Sequence, residues 1–274
     1  MKTNKIIWLM AALTLAWGCS SDDEEANISS KVIQEEEAAP QWNGSTFVAS
    51  DRPSWAIDWS ANDAAPNWQE PEATHYECSM QLFIEQDEQL SALSSDNDVM
   101  AMFINGECRG VSYRNVLTNG QVAYVLHVKG SSEETNADME LRYYNDQMHQ
   151  LFIDPFMPPF SPNNLMEEAH HIVQSIGDGS TKYPVSAMLT VILPKDLPFT
   201  PTEQDILAVF VGDECRGFGL EDPEMYPGWR ANVFCRTVGE TVQLRYYSAD
   251  KGGVYTILQT VALNDELQQV DITF

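Results

Sequence analysis

The chain has 274 residues, with 15 Lys and Arg against 41 Asp and Glu, a formal net charge of −26 at pH 7. So acidic a surface repels the phosphates of nucleic acid and the headgroups of anionic lipid, so nucleic acid is excluded as an expected partner. The length admits one large domain or two of ordinary size.

At the N-terminus, "MKTNKIIWLMAALTLAWGC" places Lys2 and Lys5 before an apolar run from Ile6 to Trp17, followed by Gly18-Cys19. This pattern predicts a secretory signal over residues 1–18. The run is too short to stay as a membrane span. "LAWGC" resembles the lipobox of bacterial lipoproteins, which implies that Cys19 is acylated and anchors the chain in an outer membrane. Several acyl chains on one residue exceed the two signals that stable anchoring needs. A plain secreted chain with a chance cysteine is the competing reading. The "SSDDEE" that follows resembles the export signal of surface-exposed lipoproteins of the Bacteroidota. Residues 19–40 are too polar and charged to pack, and they read as an acidic flexible tether.

Residues 41–69 hold four of the five tryptophans that follow Cys19: Trp42, Trp55, Trp59 and Trp68. No regular period is visible there, and the segment reads as an ordered strap across the domain that follows. Exposed aromatics stack on sugar rings with an apolar face and polar handles. Trp42, Trp55 and Trp59 are therefore candidate ligand-binding residues, with Tyr226 and Trp229 of "EDPEMYPGWR" as a second patch. The competing reading is that these rings staple the strap to a core. Trp68 reads as the lead-in to the first strand.

Beyond the strap the chain repeats itself. At a constant shift of 107, residues 76–110 align with 183–217 without a gap: Tyr76 on Tyr183, Asp98 on Asp205, Ala101 on Ala208, Phe103 on Phe210. Glu107-Cys108-Arg109-Gly110 falls on Glu214-Cys215-Arg216-Gly217, and "LRYYN" (141–145) matches "LRYYS" (244–248) after a loop of different length. A period near 100 residues is a whole domain rather than a solenoid unit. Short segments rich in β-formers ("CSMQLFIE", "VMAMFI", "ECRGVS", "AYVLHVKG", "MELRYY", and their counterparts) are separated by turn chemistry. They predict an all-β chain of two tandem immunoglobulin-like β-sandwich domains, residues 70–177 and 178–274. "MEEAHHIVQSI" (166–176) is compatible with a short helix, but its counterpart in the second copy favours a closing strand.

Asn105-Gly106 and Gly212-Asp213 are two-residue hairpin turns. Counting outward, Ile104 faces Glu107, Phe103 faces Cys108, Met102 faces Arg109 and Ala101 faces Gly110, with the same pairs in copy two. Alternation then puts Phe103, Cys108, Ala101 and Gly110 on one packing face, as it does Phe210, Cys215, Ala208 and Gly217. Glu107 and Arg109, like Glu214 and Arg216, fall on the opposite, outward face. Cysteine is expected there as a small buried hydrophobe.

The chemical alternatives are weaker. A nucleophilic cysteine needs a base beside it. All five histidines precede residue 172, which leaves Cys215 without one in its own copy. Paired cysteines at zinc spacing do not occur. Disulfides Cys78–Cys108 and Cys215–Cys235 are open in an exported protein. Glu167 with His170, and "SSDND" (94–98), are single metal-like patterns that lack further ligands. No metal and no cofactor is expected.

The "A-x-F-x-x-x-E-C-R-G … YY" pattern, carried twice over residues 68–274, resembles tandem domains of Bacteroidota surface-exposed lipoproteins. The resemblance implies a non-catalytic binding or accessory module for glycan or peptide beside an outer-membrane nutrient transporter. The alternative it leaves is a structural or adhesive protein whose sandwiches are spacers and partner docks. In both, no enzymatic activity is expected.

Overall fold

The computed structural model describes residues 42–72, 74–162, 170–222, 228–264 and 268–271. The predicted signal, Cys19, the acidic tether, Glu167 and Tyr226 lie outside them.

The first repeat starts with β2 (Cys78–Gln86), where Met80, Leu82 and Ile84 point inward at every second position. A short helix α1 (Glu88–Ala92) follows. The Asp87 carboxylate caps it by accepting from the Leu90 amide at 2.7 Å, and Leu90 is buried beneath. Then come β3 (Val99–Ile104), β4 (Glu107–Tyr113), β5 (Asn115–Val116), β6 (Val122–Gly130), β7 (Met139–Asn145), β8 (Gln150–Asp154) and β9 (His170–Gln174). They form two four-stranded sheets, β5-β6-β2-β9 and β4-β3-β7-β8. The inward side chains of both sheets make one core. Residues 170–174 are a strand, parallel to β2.

The second repeat has β10 (Val185–Ile192), β11 (Ile206–Val211), β12 (Glu214–Asp222), β13 (Gly228–Cys235), β14 (Thr241–Ser248), β15 (Gly253–Ala262) and β16 (Gln268–Asp271). Its wiring copies the first: β15-β14-β11-β12 matches β8-β7-β3-β4, and β13-β10-β16 matches β6-β2-β9. Its closing strand also runs parallel to its first. The chain is therefore all-β, with layers packed face to face around apolar cores. In the second repeat β12 also pairs with β13, so its seven strands join into one continuous sheet that folds over its own core. In the first repeat Ser112 intercepts that pairing, because its hydroxyl accepts from the Val125 amide at 3.1 Å. Its aligned residue is Gly219, which has no side chain to interfere.

The hairpin turns have the expected geometry. Asn105 and Gly106 both have positive φ (51° and 78°), whereas at Gly212-Asp213 only the glycine does (60°). These are the two turn types that match strand twist. Ile104 pairs with Glu107 and Phe103 with Cys108, as expected; then the register slips. Met102 pairs with Gly110 and Ala101 with Val111, so Arg109 is the extra residue of a β-bulge. Copy two slips at the same place, with Val209 opposite Gly217. The bulge overturns the expected Met102/Arg109 and Ala101/Gly110 pairs, as it does Ala208/Gly217. Counting from a turn assumes one residue for one, and a bulge breaks that count.

The strap reaches further than the first repeat. Its start, β1 (Ser45–Ala49), pairs antiparallel with β15 at the edge of the second repeat. In return, residues 179–181 run along β8 of the first: Ile153 donates to Gly179 O at 2.7 Å and Thr181 to Leu151 O at 3.0 Å. The segment leading into each repeat thus closes the edge of the other. The described residues form one compact unit.

Candidate functional site

The residues repeated in both copies build three matching sets of contacts. Tyr76 donates to Glu107 at 2.8 Å, and Tyr183 to Glu214 at 2.7 Å. The guanidinium of Arg109 lies 4.1 Å above the Tyr76 ring, and that of Arg216 lies 4.6 Å above Tyr183. Each arginine also reaches a loop carboxylate, Glu134 or Glu240, and a carbonyl of the neighbouring strand, Lys129 O or Phe234 O. Both arginines are buried, against the expectation of an outward face. The bulge rotates them off the alternation.

In the second set, Asp98 accepts from Tyr143 Oη at 2.6 Å and the Asp146 amide at 2.9 Å; Asp205 accepts from Tyr246 Oη at 2.7 Å and the Ala249 amide at 2.8 Å. The Asp98 carboxylate of "SSDND" is therefore committed to tying a loop to the strand carrying "RYY". Among the described residues no group of three or more His, Cys, Asp or Glu is placed to hold a metal ion.

The third set is the face of Ala, Phe and Cys. It lies outside the sandwich core, where the strap covers it. Phe103 is clasped by Arg142 (3.9 Å above its ring) and the edge of Trp68 (5.8 Å). Phe210 is clasped by Arg245 (4.0 Å) and the edge of Trp55 (5.3 Å). Gly110 and Gly217 are glycine for lack of room: a Cβ would sit 2.6 Å from His127 O and 2.2 Å from Asn232 O.

Cys215 is buried under Trp55, Ile57 and Phe218, whereas Cys108 is half-buried, with the smaller Val111 at the position aligned with Phe218. Burial pushes both thiols above the ordinary cysteine range, and that of Cys235 up to about 11. Cys108, Cys215 and Cys235 are free thiols. The proposed disulfides do not form because Cys78 and Cys235 point into the sandwich cores, while Cys108 and Cys215 face the strap. Thiol labelling of the native chain is accordingly expected to be slow at Cys215, Cys78 and Cys235 and faster at Cys108. Labelling of Cys215 as fast as in denaturant would contradict its cover by Trp55.

The tryptophans do not form a stacking platform. Trp42, Trp59 and Trp229 are 3%, 9% and 8% exposed. Trp42 enters the second core among Phe199, Tyr246 and Tyr255, where Trp229 also meets Tyr246. Trp59 wedges between Tyr183 and Phe234. Trp55 is half-buried on Phe210. As candidates for sugar stacking Trp42, Trp59 and Trp229 are corrected to core residues, because their faces are spent on other rings. Against the expectation of no regular period, the strap alternates inward and outward from Pro53 to Asp63, a period of two that "WAIDWS" displays.

The concave surface lies elsewhere, at the junction of the repeats. A cleft of about 760 Å³ is walled by Asp87 and Glu88 on one side and Ile176–Asp178 on another, with Met188, Asn232 and Phe234 of the second repeat as its floor. A hollow of about 620 Å³ adjoins it through Gly177, Asp178 and Ser186, and holds Asp154 and Phe156. Gly177 packs flat on Phe234, a Cβ there lying 2.4 Å from the ring. Asp178 is open to solvent, but the walls thin its hydration and raise its pKa, and repulsion from Asp154 and Asp87 adds to this. Nothing in the sequence marked these residues among 41 acids, because three separate stretches supply them.

No known protein-family model and no curated protein matches the chain.

Proposed function

We propose that this chain is a non-catalytic surface lipoprotein that docks a peptide segment of a partner protein in the junction cleft. The cleft carries the reading: it is the size of a ligand site, and packed elements of both repeats hold its walls. Burial of Trp42, Trp59 and Trp229 favours a peptide over a glycan ligand. It also favours the sandwiches as spacers that hold the cleft away from an anchor at Cys19. An adhesin or an outer-membrane transporter fits the partner's role.

The test is a pull-down from intact outer membranes with the full-length chain and with Ser186→Trp, which fills the cleft from an exposed position. Wild type is expected to recover a partner that the variant loses. Equal recovery by both places docking elsewhere. Cys19→Ala is expected to release the chain from the membrane fraction, and unchanged retention without acyl mass on the N-terminal peptide would end the lipoprotein reading.

A further inference from the structure

Resting on the docking reading, we infer that the junction cleft selects a basic, apolar segment of a partner protein. Lys or Arg would meet its carboxylates, and an apolar side chain would seat on Met188 and Phe156.

Charge is the first argument. Asp87, Glu88, Asp154 and Asp178 line the cleft and its adjoining hollow, and among the described residues no Lys, Arg or His lines either. Acidity alone is unremarkable on a protein with 41 Asp and Glu against 15 Lys and Arg, yet several carboxylates elsewhere are matched. Glu134 meets Arg109, Asp96 meets Arg114, Glu70 meets Lys129, Asp58 meets Lys182 and Asp213 meets Arg245, all within 3.1 Å. None of the four cleft carboxylates has an ion pair among the described residues. Asp87, Asp154 and Asp178 accept the backbone amides of Leu90, Phe156 and Ser175. Those bonds fix where the charges point without cancelling them. Low-dielectric walls around like charges focus the field into the concavity.

Shape is the second argument. Met188 stands on the floor and Phe156 beside the hollow, the latter 90% exposed. Apolar surface left open next to unpaired carboxylates suits a segment carrying both features, where burial supplies affinity and charge supplies selection. A second copy of this chain is a poor occupant, since two chains at −26 repel.

The experiment titrates the full-length chain with three acetylated, amidated heptapeptides that alternate Phe with Lys, with Gln, or with Glu. The Lys/Phe peptide is expected to bind best. Asp154→Asn with Asp178→Asn should weaken it by roughly tenfold. Raising salt to about 0.5 M should weaken the wild type similarly. Circular dichroism confirms that the double variant is folded. Equal binding of the Gln/Phe peptide, blocked by Ser186→Trp, would overturn charge selection and leave docking in the cleft standing. Lys/Phe binding that neither the Asn pair nor Ser186→Trp changes would be general attraction to an acidic surface, and would overturn the inference. So would binding by none of the three peptides.

Discussion

Trp42→Ala is expected to cost about 3–5 kcal/mol of folding stability, and to loosen the second repeat although Trp42 precedes the first. Its ring is almost fully enclosed, with Phe199, Tyr246 and Tyr255 edge-on at 5.3–5.9 Å. Truncation leaves a cavity that the surrounding rings, stacked on each other, cannot collapse into. The loss also removes the side-chain anchor just before β1, whose ladder with β15 begins three residues later. Denaturant unfolding measures the cost. Hydrogen exchange tells the repeats apart: amides of β14 and β15 should lose more protection than those of β7 and β8. A cost below about 1 kcal/mol, within the range of ordinary surface substitutions and small defects, would mean that the ring is not seated in that core.

Arg216→Ala should be comparably damaging, at about 3–5 kcal/mol, the usual consequence of removing one partner from a buried ion pair. Arg216 has no exposed surface. It donates to Phe234 O at 3.0 Å, reaches Glu214 at 3.2 Å and Glu240 at 3.4 Å, and roofs the Tyr183 ring. Its removal leaves two carboxylates facing a void, with exposed Arg236 and the Tyr183 hydroxyl left to answer Glu214. Arg216→Lys should not restore stability, because an ammonium cannot serve several acceptors in one plane while stacking on a ring. Lys182→Ala breaks a pair with largely exposed Asp58 and should cost about 0–1 kcal/mol. Similar costs for the two alanine variants would refute a structural role for the buried arginine.

The equivalent site in the first repeat carries a pH signature. A hydrogen bond from Arg109 holds the Glu134 carboxyl below the usual carboxylate range, although partial burial opposes it. A depressed folded pKa contributes stability above the unfolded value, and that contribution is lost as pH falls through the folded value. At Glu214 lost hydration pushes the other way, and Tyr183, Arg216 and Arg236 outweigh it. Both repeats should therefore weaken on the acid side.

Strand alternation, turn residues and the duplication are properties of the sequence itself, and they make the all-β class, the strand positions and both hairpin turns legible there. The same holds for the packing role of Phe103 and Phe210. Repeat identity also pointed to structure over chemistry at the cysteines, since a group placed twice at equal spacing serves what both copies share. What local pattern could not carry was everything set by distant contact. The bulge at Arg109 and Arg216 turned an expected surface pair inward, because Tyr76 and Tyr183, some thirty residues earlier, offer a ring to stack on and Glu134 and Glu240 a carboxylate. The tryptophans read as a platform until their neighbours were known: a ring's exposure depends on what packs against it, and Trp42 is covered by residues more than 150 positions away. The cleft is the extreme case. Asp87, Asp154 and Asp178 mean nothing at their separations in sequence, and only the pairing of β9 with β2 and of residues 179–181 with β8 brings them around one concavity.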